Sequence, residues 1–263
     1  MKSLIQYILS VLGYQLIKKG VEGPFEYLHA LPRYTETTLE LEGSDFTVAD
    51  THSFYHSYAE IFEGEIYRFK ANDSSPVIVD CGANYGTSIV YFKSLYPDAR
   101  ITGIEADPYI FSLLQSNLSE RSYSDVRLVN RALSNSSQPV EFFTEGADAG
   151  RVHPRDGSSE LKVYTASLDE FLQEPVDFLK MDIEGAETEV LIRSKMLSSV
   201  KTLFVEYHSF QDAPQELDLL LKKLSEEGFR YYIQTQFCPP RPFCNLDHYL
   251  GMDLQLNIFA MRA

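Results

Sequence analysis

The sequence predicts an α/β chain built on a mostly parallel sheet, and three observations carry that prediction. From Val77 onward, short apolar strand patterns alternate with helical patterns. Two of the strand patterns reach an acidic residue at their ends, Asp80 and Glu105, and a glycine-bearing turn follows the first. The chain then finishes with two strand patterns, FRYYIQTQ and LQLNIFAMRA, that no helix separates, which predicts an antiparallel hairpin at one sheet edge. With 263 residues, 44% of them hydrophobic, the chain is long enough for one large domain with a substantial core.

Taken in order, MKSLIQYILSVLGYQLIKKG has an apolar centre between lysines. Gln6, Tyr14 and Gln15 interrupt it, it is shorter than the roughly 20 apolar residues a membrane span needs, and no small-residue cleavage site follows. It reads as an amphipathic helix over residues 1–20 that packs on the core or makes peripheral contact with a membrane surface. TLELEG and DFTVAD alternate as a hairpin does, so residues 1–58 form a helical and hairpin extension or cap, and residues 59–263 the main domain. HSFYHSYAEIFEGEIYRFK is a helical, aromatic-rich segment placed to cover a pocket at the next strand.

That strand is VIVDCG, followed by the helix TSIVYFKSLYP, the strand ITGIEA, a helix to about Ser119, and the strands VRLVNRAL and VEFFTE. The polar tract GADAGRVHPRDGSSE reads as a loop near the site, placed to select substrate. LKVYTASLDEFL, the strand DFLKMDIEG, the helix ETEVLIRSKML, the strand TLFVEYHS and the helix APQELDLLLKKLSEEG complete the alternation. A parallel sheet with crossover helices is the outcome.

The order strand, glycine turn, helix, strand, acid points to a cofactor containing adenosine, because the turn lets backbone approach the ligand and the later acid accepts from ribose hydroxyls. The turn reads DCGANYG and lacks the third glycine of a dinucleotide site. S-adenosylmethionine has no phosphate and carries an ammonium and a sulfonium, so an acidic turn suits it. Net charge is 23 minus 38, or −15, so the chain lacks the positive field that nucleic-acid phosphates favour, and no nucleic acid is expected as partner. Cys81, Cys238 and Cys244 form no disulfide framework or zinc spacing and read as unpaired thiols, which fits a reducing cytoplasm.

Through DCGANYG, GIEADP, NRALS, SLDEF, FLKMDIEGAE and FVEYH, the sequence resembles the FkbM family of S-adenosylmethionine-dependent methyltransferases over roughly Ala59 to Ala263. The resemblance implies a Rossmann-like class I methyltransferase fold, with a seven-stranded, mostly parallel sheet and the antiparallel C-terminal hairpin. It also implies O-methylation of a hydroxyl on a sugar, glycan or polyketide-like acceptor. Asp80, Gly82, Ala83, Asn84 and Gly86 would then hold the methionine moiety, with Glu105 on the ribose diol beside Ala106, and Asn130, Arg131 and Ala132 near the adenine. Tyr67 would close over the methionine end, although it reads equally as a core aromatic.

The acceptor is expected at the ends of the fourth and fifth sheet strands, where Asp182, Glu184 and His208 fall. An alcohol needs a general base or a bound divalent cation such as Mg²⁺ to become a nucleophile, and Asp182 and His208 suit either. Glu206 joins them as a metal donor only if its strand stays regular, and Glu187 reads as a cap on the following helix. His29, His52, His56, His153 and His248 show no ligand spacing and receive no catalytic role. Two other readings stand beside the enzyme: a cofactor-binding or scaffold protein that has lost the chemistry, and a nicotinamide-dependent oxidoreductase, which the missing glycine disfavours.

Overall fold

The computed structural model describes residues 23–134, 138–144 and 159–262. The expected helix over residues 1–20 and the polar tract with His153 lie outside the described residues.

The seven-stranded sheet runs in the order β12-β13-β11-β10-β3-β4-β5. Its parallel part comprises β3 (Val77–Cys81), β4 (Arg100–Glu105), β5 (Val126–Asn130), β10 (Val176–Met181) and β11 (Val200–Phe210). The chain builds outward from β3 to β5, then returns to the other side of β3 with β10. Order therefore reverses between β3 and β10, which opens a crevice beyond their carboxyl ends. The closing hairpin is β12 (Arg230–Phe237) and β13 (Met252–Met261), with β13 inserted antiparallel between β11 and β12. The seven strands and the antiparallel hairpin are those that the resemblance implied, and β12 is the edge.

Strand alternation gives the sheet two cores. Val79, Leu179, Leu203 and Val205 face one core, under the helices α4 (Glu187–Arg193) and α5 (Leu217–Glu226). Ile78, Phe178 and Phe204 face the other, with helices α2 (Thr87–Leu95) and α3 (Pro108–Ser119). On this second face Phe178 packs against Tyr67, Phe69 and Phe92 at ring separations of 6.4, 4.9 and 5.3 Å. Further along the same strands toward their carboxyl ends, the residues become Asp80, Lys180, Glu206 and His208. An apolar floor thus turns into a charged wall within one or two strand steps.

Residues 25–58 build onto that second core. The hairpin β1 (Thr37–Leu41) and β2 (Ser44–Val48) turns at Glu42 and Gly43, both at positive φ, and buries Leu39, Leu41, Phe46 and Val48. Asn117 on α3 clamps it, accepting from Thr47 N and donating to Thr47 O and Tyr85 O. Helix α1 (Thr51–Tyr58) starts at Asp50, whose carboxylate accepts from Ser53 N, and runs into a π-helical turn over Ala59–Glu63. The aromatic segment read as helical follows these two elements only as far as Glu63; its residues 64–70 leave the helix.

Two strand readings also change in detail. VRLVNRAL is not one strand: β5 ends at Asn130, whose side chain turns back to donate to Glu105 O and Ala106 O. Past that break Ala132 N donates to Tyr164 O, and β6 (Ala132–Leu133) pairs with β9 (Thr165–Ala166). The VEFFTE strand, β7 (Val140–Thr144), pairs antiparallel with β8 (Ser159–Val163) in a two-stranded sheet separate from the main one.

The tightest constraint lies where β3 meets β10. A Cβ on Gly82 would stand 1.7 Å from the carbonyl oxygen of Asp182, and Gly82 has φ +82°. Gly43 has a comparable φ of +76° with nothing within 4 Å of its would-be Cβ. Gly43→Ala is expected to cost about 1 kcal/mol, the conformational penalty alone. Gly82→Ala should cost more than about 2 kcal/mol, because backbone must separate from backbone. Equal losses in denaturant unfolding would contradict this account.

Candidate active site

Beyond the carboxyl ends of β3, β4, β10 and β11 lies a cavity of about 550 Å³. The π-helical turn and helix α1 roof it with His52, His56, Glu60 and Ile61, and Phe237, Tyr249 and Leu250 close the hairpin side.

One half is built around Glu105. Its two carboxylate oxygens are fixed separately: Oε2 accepts from Asn84 N at 3.0 Å, and Oε1 from Asp107 N at 2.8 Å. The first bond is possible because Asn84 adopts φ +48° in the turn after β3, a conformation asparagine tolerates. The second comes from the helix cap, where Asp107 accepts from Tyr109 N and Ile110 N ahead of Pro108. Burial pushes the Glu105 carboxyl up to about 7, against the lowering effect of those two backbone bonds. Gly82, Ala83, Asn84, Ala106, Arg131 and Ala132 line the cavity beside it.

Asp80, Gly86 and Asn130 stand behind this wall. Asp80 is fully buried and accepts from Ser88 Oγ at 2.5 Å. Gly86 begins α2 at φ +95° against Leu114, and Asn130 holds the Glu105 and Ala106 carbonyls. Each acts on the cavity through a neighbour. Tyr67 lines the cavity and packs edge-on against Phe204 at 4.9 Å, as a core aromatic does.

The other half is a polar cluster on β10 and β11. Lys180, 3% exposed, sits 3.4 Å from Asp80 Oδ1 and 3.2 Å from Asp182 Oδ2, and donates to Gly82 O at 2.7 Å. Burial works against the ammonium, but Asp182 and Asp80 outweigh it and hold Lys180 well above its ordinary value. The turn after β10 carries Glu184 at φ +58° and Gly185 at φ +105°. Glu187 secures that turn, accepting from Ile183 N at 2.9 Å and Gly185 N at 3.0 Å.

The same Glu187 oxygen lies 3.1 Å from His208 Nδ1. On the other side of the ring, Nε2 is 3.8 Å from both Glu184 Oε2 and Glu206 Oε1. Burial alone would lower the imidazole, yet Glu184, Glu187 and Glu206 together hold it well above its usual value. Strand β11 stays regular here, so Glu206 and His208 share a face, as the metal reading required. Burial and then the Asp182 charge push Glu206 up to about 8, while Gln255 donates to it.

Several of these groups were not singled out from the sequence. Lys180 is a lone lysine in an apolar strand, and cross-strand pairing with Asp80 brings a second carboxylate to it beside Asp182. Glu60, which accepts from Gln236 at 2.7 Å, reaches the cavity because the helix widens to a π-turn there. His52 and His56, given no chemical role, line the cover and pack edge-on with His29 at 5.3 and 5.7 Å. Cys81, Cys238 and Cys244 are free thiols, as read.

A family model described as the methyltransferase FkbM domain matches residues 80–231. Methyltransferase sdnD from Sordaria araneosa is 29% identical, the match covering 65% of this chain and 80% of that protein. The 2-O-methyltransferase NoeI from Sinorhizobium fredii is 26% identical, over 50% of this chain and 63%, less than two thirds, of that protein. Among solved structures, the methyltransferase FkbM from Methylobacillus flagellatus KT aligns at TM-score 0.47 and 21% identity, covering 78% of this chain and 50% of that one. M. jannaschii TYW2 in complex with AdoMet aligns at TM-score 0.47 and 16% identity, over 89% of each chain.

The buried ion pair generates a stability prediction. Lys180→Met leaves Asp80 buried without its counter-charge, and should destabilise the protein by about 3–5 kcal/mol. Adding Asp80→Asn should recover most of that loss in a double-mutant cycle read by denaturant unfolding. A double variant as unstable as the sum of the singles would refute the pairing.

Proposed function

The chain belongs to the FkbM methyltransferase family, and from that premise we propose that it transfers a methyl group from S-adenosylmethionine to a hydroxyl oxygen of a sugar, glycan or polyketide-like acceptor. The observation that carries this reading is Glu105: a carboxylate at the second strand end of the family domain, oriented by two backbone N–H groups and facing the cavity. Each oxygen keeps a lone pair for one hydroxyl of a ribose diol. The 2-O-methyltransferase NoeI supports the choice of oxygen as acceptor atom.

When bound, the donor supplies a methyl on a sulfonium, so the acceptor oxygen forms an O–C bond as the C–S bond breaks and the electron pair returns to sulfur. The residues around the cavity do the rest. Glu105 and the turn Gly82–Asn84 fix the donor's position, and Tyr67 and Ile61 exclude water from the space between the two halves. The acceptor hydroxyl must lose its proton. Glu184, Glu187 and Glu206 hold His208 well above its usual value and Glu187 engages its Nδ1, so the base role that the sequence offered it passes to Asp182 and Glu206. Lys180 neutralises Asp182, which leaves Glu206, whose raised value makes it the stronger base once ionised.

The acceptor is uncharged or weakly charged in this reading, since Glu60, Asp182, Glu184 and Glu206 all border its half of the cavity. The net charge of −15 likewise disfavours nucleic acid as substrate. Among the described residues no helix is long and apolar enough to cross a membrane. A cytoplasmic setting, with peripheral membrane contact through residues 1–20, belongs to the same proposal.

Calorimetry with S-adenosylmethionine and S-adenosylhomocysteine tests the donor site, and Glu105→Ala should weaken both by at least about tenfold, the loss of two hydrogen bonds to a charged group. Because its folded-state value lies above the ordinary carboxylate range, Glu105 favours the fold at low pH and that contribution is lost as pH rises to about 7. Donor binding follows the opposite sign, since ribose hydroxyls prefer the ionised form. Affinity should rise roughly tenfold from pH 6 to pH 8, and Glu105→Gln should flatten the slope. A slope that persists in the Gln variant would assign it to another group.

With an accepted hydroxyl substrate, Glu206→Gln should lower kcat on the order of 10²-fold while donor affinity is retained. An unchanged kcat would remove Glu206 from the proton path.

A further inference from the structure

Methyl transfer alone does not account for how Asp182, Glu184 and His208 are arranged. Each turns one donor atom toward a common region, and the three atoms lie within 4.8 Å of one another. They come from the ends of adjacent parallel strands, β10 and β11, so the backbone sets their spacing. Resting on the methyl-transfer reading, we propose that these three side chains form the binding site of one divalent cation of the Mn²⁺ or Mg²⁺ type, placed to polarise the acceptor hydroxyl.

The histidine carries most of the argument. Its side chain is 1% exposed, and Nδ1 is committed to Glu187. Nε2 is therefore aimed into the gap between Glu184 and Glu206, whose oxygens stand at 3.8 Å, beyond hydrogen-bonding distance. Two ligand atoms on one such cation, each about 2.1 Å from it, lie about 3–4 Å apart. The 3.8 Å gap between Nε2 and the Glu184 oxygen has that spacing.

Glu187 supplies the orientation such a ligand needs. Its carboxylate is itself held by Ile183 N and Gly185 N, so the ring cannot rotate without breaking a buried network. A metal-bound histidine characteristically gives its other ring nitrogen to a carboxylate in this way. Asp182 has a second oxygen available, because Lys180 engages only Oδ2.

The donor set selects the class of ion. Two carboxylates and one imidazole, with no thiolate at hand, suit a hard or borderline cation. Cys81, on the neighbouring strand, belongs to the core on the opposite face of the sheet. All three ligands border the cavity, so the remaining coordination positions open toward the acceptor half.

The test titrates MnCl₂ into chelator-treated full-length protein, by calorimetry and by the electron paramagnetic resonance signal of free Mn²⁺. One saturable site per chain is expected, and Glu184→Gln should weaken it at least tenfold. Glu187→Gln, which touches no metal, should weaken it about 10–100-fold by releasing the ring. Circular dichroism checks that both variants fold, and the wild-type titration stands without them. Absence of saturable Mn²⁺ binding up to about 1 mM, the weak end of protein divalent sites, overturns the proposal, as does binding that Glu184→Gln leaves unchanged. S-adenosylmethionine titrated into the same stripped protein separates the two readings: donor binding without Mn²⁺ binding defeats the cation site alone, whereas absence of donor binding defeats the transfer reading.

Discussion

A buried ammonium between two carboxylates holds the site together. Lys180 reaches Asp80 at the end of β3 and Asp182 at the end of β10, and its bond to Gly82 O pulls the intervening turn onto the sheet. Gly82 permits that approach by having no side chain where the Asp182 carbonyl stands. An isolated charge buried to this degree would be prohibitively costly, so the three groups hold each other in place. The turn in turn delivers Asn84 N to Glu105, and the β10 end delivers Asp182 and Glu184 to His208. Both halves of the cavity therefore trace back to one pairing between neighbouring strands.

The two halves solve different problems. Around Glu105 the polar groups are mostly backbone N–H donors from a turn and a helix cap, which position a ligand without bringing any charge of their own. Around the ends of β10 and β11, the carboxylates of Glu60, Asp182, Glu184 and Glu206 crowd around one lysine and one histidine, an arrangement that favours cationic or proton-releasing chemistry. The aromatic packing of Phe178 with Tyr67, Phe69 and Phe92 lies under both, so the charged wall rests on a rigid apolar floor.

Much of the scaffold was legible in the sequence, for a physical reason. Buried parallel strands must be apolar, so VIVDCG, ITGIEA and DFLKMDIEG stand out, and the acids that end them stand out with them. Glu105 and Asp182 were visible for that reason. Glu187 was visible only as a helix cap, because its second partner, His208, depends on β11 staying regular as far as His208 and on Glu184 entering the left-handed region. The bridging role of Lys180 was hidden because Asp80, the second of its two carboxylate partners, sits 100 positions earlier and meets it only through sheet register. The split of VRLVNRAL was hidden too, since it follows from Asn130 turning its side chain back to the preceding strand end.

The most direct test of the central claim is a crystal structure of the protein grown with S-adenosylhomocysteine. The ribose diol is expected on the two Glu105 oxygens, the homocysteine end along the turn from Gly82 to Asn84, and Lys180 still bridging Asp80 and Asp182. A ligand seated elsewhere, or a Lys180 released from both carboxylates to meet it, would contradict the account.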